Sequence, residues 1–172
     1  MSVSTHDEAP IEVVAYDARW PLKFAAECRV LQAMLTAWLN GPMVHIGSTS
    51  VPGLMAKPVI DIMAPVRSLD ASRPAIDVVV AGGYVYFPYK DDVMHWLCKP
   101  SPAHRTHHLH LVLYGSAHWL QRLAFRDALL ASAKLAAEYL DLKRLLAEKF
   151  HDDREAYTQA KGPFIQRVLS EL

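Results

Sequence analysis

Val44-His45-Ile46-Gly47-Ser48-Thr49-Ser50-Val51-Pro52-Gly53-Leu54, running on into Lys57-Pro58-Val59-Ile60-Asp61-Ile62, decides how this chain is read. An apolar strand breaks at Gly-Ser, a turn-rich loop follows, and a second apolar strand carries one acidic residue. Glycine reaches backbone angles closed to other residues, so a bound group can approach the main chain closely there. The hydroxyl residue beside it can donate to phosphate oxygens. Asp61 inside Val-Ile-Asp-Ile-Met must be paired or face a site, because an unpaired buried carboxylate is costly.

Upstream, Ile11 to Val14 reads as a short apolar strand, and residues 1–10 as a disordered lead-in to a single domain over 11–172. Pro21 suits the first turn of a helix. Behind it Phe24, Cys28, Leu31, Leu35 and Trp38 recur at spacings of four and three, one apolar helix face, and Asn40-Gly41-Pro42 ends it. Strands are expected at 43–47 and 59–64, then a helix over 70–81 stopped by Gly82-Gly83. Tyr84 to Tyr89 and His95 to Lys99 read as strands joined by the polar turn Lys90-Asp91-Asp92, and Thr106 to Tyr114 as a strand closed by Gly115.

The last third is helical: 117–131, then a helix with the buried stripe Leu135, Tyr139, Leu142 and Leu146. In a third, Asp152 and Glu155 form a capping box, with Tyr157, Phe164 and Val168 toward the core. The expected fold is α+β, a mixed β-sheet with an N-terminal helix and a C-terminal helical layer.

With 172 residues, 52% of them hydrophobic and 21% charged, the chain can bury a real core. Lys plus Arg equals Asp plus Glu, 18 against 18, so the basic excess of a nucleic-acid-coating protein is absent. Nucleotides remain open as small ligands. Met1 to Pro10 has neither the apolar core of a signal peptide nor that of an anchor. Two cysteines, Cys28 and Cys98, suit a reduced compartment. These features predict a cytoplasmic protein, without a membrane or nucleic-acid partner.

Five of nine histidines lie between 95 and 110. On a strand His108 and His110 share one face, while His107 and Leu109 point the other way, where His107 reads as structural. Two imidazoles with a strand carboxylate nearby suit a divalent ion; the alternative is a hydrogen-bonded polar pocket without metal. Asp61 could instead form an ion pair with Lys57 or Arg105, an arrangement of little net stabilising value when buried. Arg154, Tyr157 or Thr158, and Lys161 share a helix face, with Lys143 and Arg144 on the helix before. They read either as a clamp for an anion or as a solvated charged face.

Tyr16-Asp17-x-x-Trp20, His45-Ile46-Gly47-Ser48-Thr49-Ser50-Val51-Pro52-Gly53-Leu54-x-Ala56-Lys57-Pro58-x-Ile60-Asp61-Ile62, Arg105-Thr106-His107-His108-Leu109-His110, Phe125-Arg126-Asp127 and Asp153-Arg154-Glu155-Ala156-Tyr157-Thr158-x-x-Lys161 together resemble the GrpB family, from about residue 11 to 168. That family is similar to the nucleotidyltransferase superfamily, whose pattern is Gly-Ser, a spacer, two acids one residue apart, and a third acid on a later strand. Gly47-Ser48 and Asp61 fit, with twelve residues between Ser48 and Asp61. Met63 stands at the second acid's position and His110 at the third's.

The resemblance implies that Gly47, Ser48 and Ser50 cradle phosphates and that Lys57, Arg105, Arg154, Tyr157 and Lys161 bind the anionic substrate. Asp61 and His110 would be catalytic, and Asp61, His108 and His110 would hold a divalent metal, Mg²⁺ or a transition metal such as Zn²⁺ or Mn²⁺. The implied ligand is a nucleotide or other phosphate-bearing small molecule, and the implied reaction nucleotidyl transfer to a small acceptor. The loss of two carboxylates leaves two rivals: a nucleotide- or anion-binding module without turnover, and a metal-dependent enzyme of another class.

Overall fold

The computed structural model describes residues 10–172; the expected lead-in falls mostly outside them. Twelve short elements follow one another. Helix α1 (Trp20–Leu35) leads to strand β1 (Val44–Ile46), a 3₁₀ turn at Ser48–Ser50 and strand β2 (Ile60–Val66). Helix α2 (Arg73–Ala81) and strands β3 (Val85–Tyr86), β4 (Met94–Pro100) and β5 (Arg105–Leu113) complete the sheet. Helices α3 (Ala117–Ala131), α4 (Ala133–Lys149), α5 (Arg154–Ala160) and α6 (Gly162–Ser170) close the chain.

The five strands form one mixed sheet in the order β1-β2-β5-β4-β3. β2 and β5 run parallel, with Asp61 opposite His108 and Met63 opposite His110, and the other pairs are antiparallel. The parallel pair needs a crossover connection, which α2, β3 and β4 supply.

Side-chain alternation sorts the strand residues onto two faces. Ile60, Ile62, Ala64 and Val66 of β2, with Leu97, Leu109 and Leu111, pack beneath α1 and α2. Leu31 and Leu35 of α1 are fully buried there, so truncating either to Ala would cost about 2–5 kcal/mol. The other face carries Asp61, His108 and His110 beside a smaller core of Ile46, Met63, Met94, Trp96, Cys98, Val112 and Trp119. The C-terminal helices cover this side: Leu129 of α3 and Tyr139 of α4 pack on Val51 and Leu54 of the loop between β1 and β2.

Three expected elements come out differently. The 11–14 strand is reduced to one bridge between Val14 and Ala56; Ile11 instead hydrogen-bonds His151 O at 3.1 Å and packs on Leu146 and Tyr157. The strand expected over 84–89 keeps only Val85 and Tyr86, because Pro88 has no N–H for the ladder. The third C-terminal helix is two. Asp153, not Asp152, caps α5, its carboxylate accepting from Ala156 N at 2.9 Å. Pro163 then occupies the first turn of α6, where its missing N–H costs nothing. Among the described residues no helix is long and apolar enough to cross a membrane.

Candidate active site

Asp61 lies at the start of β2 on the face turned to the C-terminal helices. Its Oδ1 is 2.9 Å from His108 Nδ1 and 3.2 Å from His110 Nε2. The parallel register puts these three side chains together. The expected convergence of Asp61, His108 and His110 is therefore present, and the ion pair of Asp61 with Lys57 or Arg105 gives way to two imidazoles. Burial alone would raise the Asp61 pKa, but the charges and hydrogen bonds of His108 and His110 hold it well below the usual carboxylate range. Burial pushes His110 the other way, toward the neutral imidazole, against the pull of Asp61. His108 Nε2 and His110 Nδ1 are buried and have no hydrogen-bond partner among the described residues.

The loop over this floor is shaped by one glycine. Gly47 has φ +74° and ψ −177°, a conformation that is essentially glycine-only. Ser50 N–H and Ser50 Oγ both bond back to Gly47 O, at 3.1 and 2.5 Å. The Ser50 hydroxyl thus braces the turn, whose first N–H groups, as in any helical turn, have no acceptor within the turn itself. Thr49 Oγ1 donates to Val59 O at 3.1 Å and contacts His45 Nε2 at 2.9 Å, tying the turn to both flanks. Ser48 shares a hydrogen bond with Tyr139 of α4.

Cationic side chains approach from the loop before β2, from β5 and from the C-terminal helices. Lys57 and Lys161 place their Nζ atoms 4.7 and 4.4 Å from the centroid of the buried Tyr157 ring. Lys143, fully buried, donates to Met55 O at 2.5 Å and lies 5.1 Å from the Tyr139 centroid. None of these three lysines pairs with a carboxylate among the described residues. Burial, then the charges of Lys161, Arg154 and Arg105, pull Lys57 down to about 7, with Asp61 opposing. Burial takes Lys161 to about 8, with Asp61 opposing and Arg122 adding to the fall. Burial and Lys161 take Lys143 to about 7.

Arg105 donates from Nε to Pro102 O at 2.7 Å, with its guanidinium 5.2 Å from the Trp96 ring. Arg154 donates to Ala103 O at 3.4 Å. These Arg and Lys residues therefore include buried and half-buried cations over the site, which a simple solvated face would not contain.

Two contributors on α3 escape a sequence reading. Arg122 acts electrostatically on His110 and Lys161, and His118, driven down to about 4 mainly by burial, feels Arg122 and His110. Their spacing of four, continued to Arg126, is the one signal that they share a stripe. Arg126 donates to His45 O at 3.2 Å, fixing α3 to β1.

His107, on the far face, contacts Thr106 Oγ1 at 2.9 Å and is removed from the triad, as expected of a structural residue. A cavity of about 380 Å³ lies at the other ends of β2 and β5, lined by Arg67, Ser68, Leu69, Asp70, Asp91, Asp92 and Leu113. It contains none of the site residues. At the site Asp61 keeps 24% of its side-chain surface accessible.

Sheet order, the glycine turn and the carboxylate beneath it define a nucleotidyltransferase-like fold. Cid1 poly(U) polymerase, in a crystal structure of its H336N mutant with MgATP, superposes with a TM-score of 0.53 at 14% identity, over 79% of this chain and 44% of that one. That likeness concerns the fold alone. The chain belongs to the GrpB family, whose model, described as GrpB protein, matches residues 10–171. The crystal structure of conserved protein GrpB from Enterococcus faecalis superposes with a TM-score of 0.83 at 31% identity, over 93% of this chain and 96% of that one. A UPF0157 protein of Pseudomonas aeruginosa is 35% identical over 170 residues, covering 96% of this chain and 69% of its own.

Proposed function

We propose that the chain is a nucleotidyltransferase-like enzyme. It would take a nucleotide, or another phosphate-bearing small molecule, with a divalent cation, and pass a nucleotidyl group to a small-molecule acceptor. One observation carries the reading: Lys57, Lys143 and Lys161, desolvated and without carboxylate partners among the described residues, gather by a glycine turn and the strand carboxylate Asp61. Crowded cations with depressed pKa values favour an arriving polyanion, which relieves their mutual repulsion.

In this reading Gly47, Ser48 and the turn that Ser50 braces receive phosphate oxygens on main-chain N–H groups. Lys57, Lys161, Arg105 and Arg154 offset the charge that develops during transfer, and Tyr157, whose ring both lysine ammonium groups approach, lines the same anion site. Asp61 and His110 orient the attacking group, and Asp61, His108 and His110 are the residues that would hold the cation. A bound cation would supply Lewis-acid neutralisation of the phosphoryl oxygens.

Met63 favours a second reading, binding without turnover. It is fully buried in the apolar core beside the triad, so no carboxylate stands one residue beyond Asp61 on its face. Calorimetric titration with nucleoside triphosphates, with and without Mg²⁺ or Mn²⁺, tests the proposal. Saturable binding that weakens in Lys161→Ala supports it, and product formation with candidate acceptors separates the two readings. A wild-type chain that binds neither nucleotides nor pyrophosphate overturns both.

A further inference from the structure

We infer that Asp61, His108 and His110 form a mononuclear site for one transition-metal ion of the zinc, cobalt or manganese type, in place of a two-magnesium centre. The inference deepens the reading above, on which it rests for the role of the site, but its test needs no nucleotide.

Geometry is the first ground. Two donors about 2.0–2.1 Å from a common ion, at octahedral or tetrahedral angles, lie about 2.9–3.4 Å apart. Asp61 Oδ1 lies 2.9 and 3.2 Å from the two imidazole nitrogens, and one donor atom from each of the three residues falls within 4.8 Å of the others. Donor spacing of this kind requires little rearrangement to accept an ion. The Asp61 carboxylate is also fixed in orientation. Its Oδ2 is turned to the Gly47 main chain, where a Cβ would stand 2.6 Å away, leaving Oδ1 as the inward donor.

Chemistry is the second ground. Two imidazoles and one carboxylate suit zinc-like ions, whereas Mg²⁺ demands near-octahedral oxygen ligands and keeps its waters. Three protein ligands leave a coordination position open, the mark of a reactive rather than a structural centre. Among the described residues no second cluster of ligands accompanies it, and Met63 occupies the neighbouring inward position.

The test is a Co²⁺ titration of the tag-free, metal-stripped chain, followed by visible d–d absorption and by calorimetry. The expected result is one equivalent bound, displaced by Zn²⁺ and not by a large excess of Mg²⁺. His110→Ala and Asp61→Asn should each weaken binding more than the roughly 10–100-fold that loss of an outer-shell partner costs. Circular dichroism establishes that each variant is folded, and His108→Ala replaces either one that is not. Equal Co²⁺ affinity in wild type and folded variants, two bound equivalents, displacement by Mg²⁺, or no absorption band would each overturn the inference. Cobalt binding alongside silent nucleotide titrations would leave the metal site standing and reject the nucleotide reading; the reverse would do the opposite.

Discussion

Gly47 and Asp61 fit together as one piece: a Cβ on residue 47 would lie 2.6 Å from Asp61 Oδ2 and 3.2 Å from its Cβ and Cγ. The glycine is therefore required twice, by its φ of +74° and by the carboxylate that fills the space a side chain would need. Loop and strand acid are held in one geometry by contact, which is how a short turn can be preorganised without a rigid element of its own.

Replacing Gly47 with Ala should cost about 1–3 kcal/mol from backbone strain, with a further loss as Asp61 is pushed off its two histidines. Gly47→Val should be worse, since a β-branched residue tolerates this region least. Denaturant melts paired with cobalt and nucleotide titrations measure both effects. An alanine variant as stable as wild type, with unchanged binding, would mean that the loop relaxes freely and that the close fit has no consequence.

Local pattern was enough to place much of this site. The period of two across Arg105–Leu113 put His108 and His110 on one face, and the Gly-Ser break marked the turn. What it could not provide was the partner of Asp61. Lys57 and Arg105 are counter-charges on the strength of charge alone, whereas the actual neighbours come from a parallel pairing that brings together residues 47 apart. Arg122 and His118 were hidden because a polar stripe on a helix reads the same whether it faces water or a polar site. Lys143 was more legible than its use suggested: it interrupts the buried stripe Tyr139, Leu142 and Leu146, and a cation on such a stripe must find an acceptor, here Met55 O.

The opposite sheet face supplies a control. Glu27 Oε1 accepts from Tyr84 OH at 2.8 Å and from Lys99 Nζ at 2.6 Å, beneath α1. Glu27→Ala strands both donors and should lower stability by about 2–4 kcal/mol. Ligand and metal affinity should not change, because the sheet separates this network from Asp61. Loss of binding in a folded Glu27→Ala protein would show that the two faces are coupled and that affinity changes elsewhere cannot be read as local.

Lys143 should make stability depend on pH. Unfolded, its ammonium titrates near 10.5; folded, burial and Lys161 bring it to about 7. Between those values the unfolded chain binds more protons, so stability rises with pH through this window and the benefit is absent below about pH 7. Thermal melts in anion-free buffer at pH 7 and pH 9 should show a gain for wild type. A smaller gain is expected in Lys143→Met, because Lys57 and Lys161 still contribute in the same direction. An identical gain in both proteins would place the Lys143 titration elsewhere.

Lys161 and Arg154 separate binding from architecture. Lys161 holds its ammonium over Tyr157 and is felt by Lys57 and Lys143. Its removal should weaken phosphate-ligand affinity by about 1–3 kcal/mol, the scale of a charge-assisted hydrogen bond. Stability should hold or rise slightly, since a repulsive cation is lost. Arg154 reaches across to Ala103 O, tying α5 to the turn between β4 and β5, so Arg154→Ala should lose stability as well as affinity. Calorimetric titration at two ionic strengths, with denaturant melts of each variant, distinguishes the outcomes. The affinity lost in Lys161→Ala should shrink as salt screens the pocket. A Lys161→Ala protein that is clearly destabilised yet binds pyrophosphate as tightly as wild type would make the lysine a structural tie between α5 and the sheet, and would remove the main support for an anion seated beside Tyr157.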